Sequence, residues 1–82
     1  MTDSLLQRVS AIVAATFNVS EADIAPGTSP ATLEAWDSMG HLMLVLALEQ
    51  DFGIQIPPES VERMTDVGSI VAMLAELAES AR

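Results

Sequence analysis

Residues 37–53 read DSMGHLMLVLALEQDFG, and this stretch decides the fold. It opens on an Asp-Ser pair, residue types that cap helices, and it closes on Gly53, a residue type that ends them. The residues between are mostly good helix formers, and none of them is a proline. The stretch therefore predicts a helix that begins at Asp37 or Ser38 and ends at Phe52.

The stretches on either side also have helical periodicity. Residues 3–17 place apolar side chains three and four positions apart, which predicts the first helix. The last helix is predicted to follow a cap provided by Thr65 or Asp66. Its apolar residues recur at the same spacing, and they are Val67, Ile70, Val71, Leu74 and Leu77.

The connections between these helices complete the predicted fold. Residues 18–37 are rich in Ser, Thr, Pro and Gly, and we expect a long ordered loop because apolar residues such as Trp36 can pin it to the core. Residues 54–58 end in two prolines and predict an extended connector, and residues 59–63 are long enough for one short helix. The predicted fold class is all-α, in one domain of residues 1–82. It is a small antiparallel four-helix bundle with three long helices, one short helix and a long loop between helices 1 and 2.

Composition argues against several classes of function. Twelve Asp and Glu residues against three Lys and Arg give a net charge of −9, so we expect no nucleic-acid binding and partners with basic patches. The longest apolar run, Leu42–Leu48, is too short to span a bilayer, and no signal-like segment follows Met1. A cytoplasmic protein without membrane contact is expected. The chain has no cysteine, which removes disulfides and thiolate metal sites.

Groups for catalysis or metal binding are scarce. His41 is the only histidine, so the chain has no histidine pair for a metal. Ser38 and His41 are spaced i, i+3, but no carboxylate that would orient His41 is evident. We expect neither an enzyme nor a metal site, and we interpret His41 as a hydrogen-bonded structural residue beside the core.

The predicted second helix divides into two sides at 100° per residue. One side, assigned to the core, carries Leu44, Val45, Leu48 and Phe52. The opposite side, here named the outer row, carries Met39, Met43, Leu46 and Gln50. Since Met side chains adapt to varied shapes, we interpret the outer row as a docking surface for partner proteins. The alternative is that part of it is buried under the long loop.

Ser38 lies where a phosphate ester would be tolerated. Backbone N–H groups at a helix N-terminus point outward, and the helix dipole favours negative charge there. Asp37 can cap these N–H groups and so leave Ser38 exposed for modification. The alternative is that Ser38 is itself the cap and nothing more. Composition and periodicity alone do not separate a chemically active bundle from a helical interaction domain.

Residues 33–77 resemble the acyl and peptidyl carrier protein family. Asp37-Ser38-Met39 is similar to the family's Asp-Ser-Leu motif for phosphopantetheine attachment. Other residues match the family's register in helix 2 and the loop after it, and they are Leu44-Val45, Leu48-Glu49, Phe52 and Ile56-Pro57. The first helix and its loop match in length and pattern, so the resemblance covers almost the whole chain.

The resemblance implies a free-standing, non-catalytic carrier, expected to be a monomer. It would hold an acyl or aminoacyl intermediate as a thioester on a 4′-phosphopantetheine arm attached to Ser38, beside Asp37. A phosphopantetheinyl transferase, using magnesium, would move the arm from coenzyme A, with Ser38 Oγ as the nucleophile. The other implied partners are an acyl- or aminoacyl-activating ligase and a downstream acyltransferase or synthase. The alternative function is that of a small helical protein-interaction domain without a prosthetic group.

Some residues depart from the pattern of typical fatty-acid carriers, which are acidic along helix 2. Gly40 and Met43 stand at matching positions here. Asp-Ser-Met-Gly is similar to D-alanyl carriers, and Trp-Asp-Ser with Gly-His-Leu is similar to stand-alone carriers of specialised pathways, including aminoacyl carriers. We therefore expect a specialised pathway rather than housekeeping fatty-acid synthesis.

Overall fold

The computed structural model describes residues 2–80, with the side chains of residues 4–77. It contains the helices α1 (Thr2–Phe17), α2 (Ser38–Phe52), α3 (Pro58–Val61) and α4 (Val67–Ser80), and no strand occurs within this part of the chain. α1 packs against both α2 and α4. The predicted all-helical fold, with three long helices and one short one, is confirmed.

The core lies where the three long helices meet. Each long helix contributes the apolar positions that recur at three- and four-residue spacing, because these positions share one helix face. The fully buried aliphatic side chains are Val9, Val13, Leu44, Leu48, Val67 and Ile70. Removal of this apolar surface from water is the main force that holds three helices of this length together.

The long loop between α1 and α2 is ordered by contacts near α2 and in its middle. Near α2, the Trp36 side chain is buried in the core and stacks on Phe17, with 5.8 Å between ring centroids. In its middle, the carbonyl of Thr28 accepts the Val67 N–H, and the carbonyl of Pro26 accepts the Gly68 N–H. The loop therefore covers the first turn of α4, and the prediction of an ordered loop is confirmed.

Two details of the predicted connections were wrong. Pro58 is the first residue of α3 rather than part of an extended connector, and the helix ends at Val61. Proline suits the first helical position, since the N–H that it lacks would have no partner inside the helix there. The loop also contains a 3₁₀ helix, Glu21–Asp23, which the sequence analysis did not predict; the Ser20 side chain caps it.

The ends of the longer helices follow the predicted signals. Gly53 ends α2 in the left-handed region, at φ 64°, and its N–H donates to the carbonyl of Glu49. Asp66, one of the two predicted caps of α4, accepts the Ser69 N–H at 2.7 Å. No helix within residues 2–80 has the length and apolar character needed to cross a bilayer.

Candidate prosthetic-group attachment site

The start of α2 is built around the side chain of Asp37. Its Oδ1 accepts the N–H of Gly40 at 2.8 Å, and its carbonyl accepts the N–H of His41 at 2.8 Å. Asp37 is therefore the N-cap, and Ser38 is the first residue of the helix. Asp37, and not Ser38, therefore caps the helix, so the Ser38 hydroxyl is not needed for capping.

Ser38 faces solvent at this helix start. The N–H groups of Ser38 and Met39 have no hydrogen-bond acceptor among the residues that the structure describes. Such N–H groups, together with the helix dipole, favour a negative charge at this point. An exposed hydroxyl therefore lies beside donors that can stabilise a phosphate.

Gly40 allows the start of α2 to lie close to the loop. A Cβ atom at this position would lie 2.6 Å from the carbonyl oxygen of Ala35 and 2.8 Å from Cε1 of Phe17. Neither distance is compatible with normal packing, so only glycine lets this turn approach the loop and α1 so closely. In the sequence, Gly40 stands out only as a departure from the usual carrier pattern. Its role depends on a contact between distant segments, which periodicity does not reveal.

His41 connects three elements one turn after Ser38. The Trp36 indole Nε1–H donates to His41 Nδ1 at 2.9 Å, and the two rings stack at a centroid distance of 6.1 Å. The other ring nitrogen, Nε2, lies 3.1 Å from the carbonyl oxygen of Val61 at the end of α3. The interpretation of His41 as a hydrogen-bonded structural residue beside the core agrees with these contacts, and the residue is half-buried.

A cleft of about 640 Å³ opens beside Ser38. One wall is the start of α2 with Trp36 and His41, and the opposite wall is Val61 with the segment after α3, including Met64. The lining is mostly apolar, and Ser38 is one of the lining residues. The cleft is not predictable from the local sequence, since its second wall comes from a short helix and the segment after it, more than twenty residues further along the chain.

The outer row of α2 is exposed. The exposed fractions are 72 % for Met39, 54 % for Met43 and 57 % for Leu46, and Gln50 also faces solvent. Leu42, which the sequence analysis did not include, is 62 % exposed. It precedes Leu46 by four residues and so lies on the same face, a spacing that could have identified it. The opposite side of α2 is in the core, as predicted, so the long loop does not cover the outer row.

The two acidic side chains in the second half of α2 are engaged within the protein. Glu49 accepts the N–H of Ile56 at 2.8 Å, which ties the connector to the helix. Asp51 pairs with Arg8 of α1 at 2.8 Å. Asp51 stays half-exposed in this pair, and the part of α2 before Glu49, residues 38–48, has no acidic residue, in contrast to the overall charge of −9.

The residues at this site fit a covalently attached phosphodiester. Ser38 provides an exposed hydroxyl, the backbone N–H groups of Ser38 and Met39 have no acceptor among the described residues, and the cleft provides an apolar surface alongside. Among the residues whose side chains the structure describes, no three His, Asp or Glu side chains are grouped as they would be around a metal ion.

Comparisons with known proteins agree with this geometry. The family model described as "Phosphopantetheine attachment site" matches residues 7–74. The acyl carrier proteins of Helicobacter pylori strains G27 and HPAG1 are each 30 % identical to the chain over 73 residues, which cover 89 % of this chain and 94 % of theirs. The chain therefore belongs to the acyl carrier protein family, whose members are non-catalytic carriers with a 4′-phosphopantetheine prosthetic group.

Proposed function

We propose that Ser38 is the residue that carries 4′-phosphopantetheine. The main support comes from the start of α2, where Asp37 caps the helix and Ser38 is exposed. A serine that was itself the cap would have its oxygen engaged by the backbone. Here the capping bond of Asp37 lets the Ser38 hydroxyl react without loss of the helix start.

In the attachment reaction, Ser38 Oγ attacks the phosphorus atom that bears the pantetheine in coenzyme A. A new P–O bond to Ser38 forms, the pyrophosphate P–O bond breaks, and the adenosine bisphosphate leaves. The hydroxyl proton passes to a base on the transferase, which also supplies magnesium. The N–H groups of Ser38 and Met39 lie where they can stabilise the negative phosphate. Once attached, the group supplies a terminal thiol that carries an acyl or aminoacyl cargo as a thioester.

The outer row, extended by Leu42, serves in this proposal as the docking surface for partner enzymes. Four exposed apolar side chains follow one another along α2 from the attachment site, and they are Met39, Leu42, Met43 and Leu46. Exposed apolar patches of this kind mark interaction sites, and flexible Met side chains can fit several partners. The proposed partners are a phosphopantetheinyl transferase, an acyl- or aminoacyl-activating ligase, and an acyltransferase or synthase.

We place the carrier in a specialised pathway rather than in housekeeping fatty-acid synthesis. Support comes from the exposed face of α2 between Met39 and Leu46, which carries large apolar side chains and no acidic one. Partners that bind this face need an apolar contact with α2, and the net charge of −9 favours basic side chains around that contact. The cytoplasmic location, the monomeric state and the single free-standing domain stay predictions.

Intact-mass spectrometry tests the proposal. The purified chain, incubated with coenzyme A, magnesium and a promiscuous transferase, should gain the mass of one phosphopantetheine, and Ser38→Ala should gain none. Ser20→Ala is the matched control, since Ser20 is also an exposed serine at a helix start, and this variant should be modified as the wild type is. The stability of Ser38→Ala should stay within about 0.5 kcal/mol of the wild type, because Asp37 is the cap.

The alternative function, an interaction domain without a prosthetic group, predicts a different result. With several transferases the mass would stay unchanged, whereas addition at another serine would keep a carrier function and move the attachment residue. Either result would contradict the assignment of Ser38.

A further inference from the structure

The hydrogen bonds of His41 define its protonation state. An indole N–H can only donate, so His41 Nδ1 must accept from Trp36, and this nitrogen carries no proton. A carbonyl oxygen can only accept, so Nε2 must donate to Val61. Only the neutral imidazole with its proton on Nε2 satisfies both partners. A protonated ring would direct a second N–H at the indole N–H.

This chain of contacts spans the cleft beside Ser38. His41 follows Ser38 by three residues, so both side chains lie on one face of α2 and line the same cleft. Val61, which accepts the bond from His41, belongs to the opposite wall. α3 is only four residues long and has no side-chain hydrogen bond at its N-cap, so its position depends on contacts with its surroundings. The His41–Val61 bond is such a contact.

We infer that His41 is a positioning residue for the attachment site: by bridging Trp36 and Val61, it holds the end of α3 at the distance that keeps the cleft beside Ser38 accessible. It does so only as the neutral ring. Loss of the bridge lets α3 shift against α2 and slows the modification of Ser38. The inference rests on the proposed role of Ser38.

The hydrogen bonds of His41 set the direction of the pH dependence, and its titratable neighbours are acidic. The titratable groups that line the cleft with it are Asp37 at the start of α2 and Glu62 after α3, and both are carboxyl groups. The loop contributes Pro30 and Trp36, and the segment before α4 contributes uncharged side chains. A proton added to Nδ1 would be directed at the indole N–H, so the bridge holds while the ring is neutral and is lost on acidification.

The wild-type protein allows a direct measurement, because it has one histidine and one tryptophan. Nitrogen-15 NMR of the imidazole should show the proton on Nε2 near neutral pH. On acidification, the fluorescence of Trp36 should change together with the ring titration, and the indole N–H should lose protection from hydrogen exchange. A proton on Nδ1 at neutral pH, or an indole signal that ignores the titration, would overturn the inference. None of these three measurements requires a modified Ser38.

The positioning role is tested by the rate of modification as a function of pH. We compare the wild type with His41→Gln, which does not titrate, and take the ratio of their rates at each pH so that the transferase's own pH dependence cancels. The ratio should fall about fivefold as His41 becomes protonated, the factor that one ordinary hydrogen bond provides. Trp36→Phe keeps an aromatic ring but removes the N–H donor. The ratio of its modification rate to that of His41→Gln should therefore vary less with pH than the wild-type ratio does.

The outcomes separate the inference from the proposed function. If Ser38 is modified but the rate ratio does not change with pH, the positioning role is wrong and the attachment role stands. If Ser38 is never modified while the tautomer is as expected, the attachment role is wrong. If thermal melts show that His41→Gln and Trp36→Phe both fail to fold, His41 only holds the fold together and the positioning role is overturned.

Discussion

The helices α2 and α4 begin with the same capping arrangement and differ in what covers it. Asp37 accepts the N–H of Gly40 at 2.8 Å, and Asp66 accepts the N–H of Ser69 at 2.7 Å. At α4, carbonyl groups of the long loop take up the N–H groups of the first two residues. At α2, no acceptor within the described part of the chain meets the corresponding two N–H groups.

The first residues of the two helices reflect this difference. Val67 of α4 is fully buried beneath the loop, whereas Ser38 of α2 faces solvent beside a cleft. A capping aspartate therefore indicates where a helix begins. Whether the long loop covers the first turn distinguishes the start of α4, which holds the loop, from the start of α2, which is proposed to carry a phosphate. The covered start holds the loop, and the uncovered start is suited to bind a phosphate.

The two helices differ in the same way along their lengths. The first half of α4 buries nearly all of its large apolar side chains in the core. α2 buries one side and exposes a second apolar side of similar size, the outer row with Leu42. Core packing explains the first side only, so the second calls for a contact outside the described protein.

The largest expected effect tests the division between the two sides of α2. Leu48→Ala removes a fully buried side chain and should lower the free energy of unfolding by about 2–5 kcal/mol through a core cavity. Leu46→Ala makes the same change on the exposed side and should alter it by no more than about 0.5 kcal/mol. Urea unfolding measures both. Equal losses would show that the outer row belongs to the core.

The division of α2 could be predicted from the sequence because it follows from helical geometry alone. Leu44 and Leu48 lie four residues apart, and their burial agrees with the predicted core side. The helix bounds were also predictable, since Asp37 and Gly53 are local signals. The prediction for Pro58 was wrong because a proline suits both the end of an extended segment and the first position of a helix. The local sequence does not distinguish these two positions.

The next largest effect concerns close packing at the two helix starts. Gly40→Ala would place a Cβ atom 2.6 Å from a backbone carbonyl oxygen, which side-chain motion cannot relieve. We expect a loss of about 1–3 kcal/mol, as for overpacked sites. Gly68→Ala is the matched control at α4, where the nearest atom would be 3.3 Å away, so the loss should be smaller. Thermal melts of both variants check this order, and a larger loss at Gly68 would contradict the packing seen at Gly40.

The candidate site was predicted only in part. Ser38 and Asp37 could be singled out because the motif is contiguous in the chain. The cleft could not, since it forms where Trp36 and His41 meet Val61 after the chain has turned back. The requirement for glycine at position 40 likewise depends on Ala35 and Phe17, and no local pattern specifies how closely these approach.

A smaller effect concerns the cap of α4, where the contribution of Asp66 to stability should depend on pH. The backbone N–H and the side chain of Ser69 donate hydrogen bonds to Asp66 and hold the pKa of its carboxyl below its ordinary value. A pKa that is lower in the folded state stabilises the fold above the ordinary range of an aspartate, and this contribution is lost as the pH falls through the lowered pKa. Asp66→Asn keeps a capping side chain without the charge. The wild type should lose stability relative to this variant on acidification, as measured by melting temperature against pH, and parallel curves would contradict the effect.

The smallest effect on stability should accompany a clear effect on function. Met43→Glu and Leu46→Glu change exposed side chains, so each should alter the free energy of unfolding by no more than about 0.5 kcal/mol. Loading by the cognate activating enzyme should fall about tenfold, because a carboxylate would enter a desolvated apolar contact next to the attachment site.

Ala11→Glu is the matched control, since it adds the same charge to an exposed position on α1. Its loading should equal that of the wild type, which separates a local contact from a general effect of net charge. Steady-state loading kinetics and thermal melts on the three variants measure both quantities. If all three variants load equally well, the outer row does not dock. If Met43→Glu and Leu46→Glu instead unfold the protein, the exposed side of α2 packs against something within the chain, and the contrast with α4 disappears.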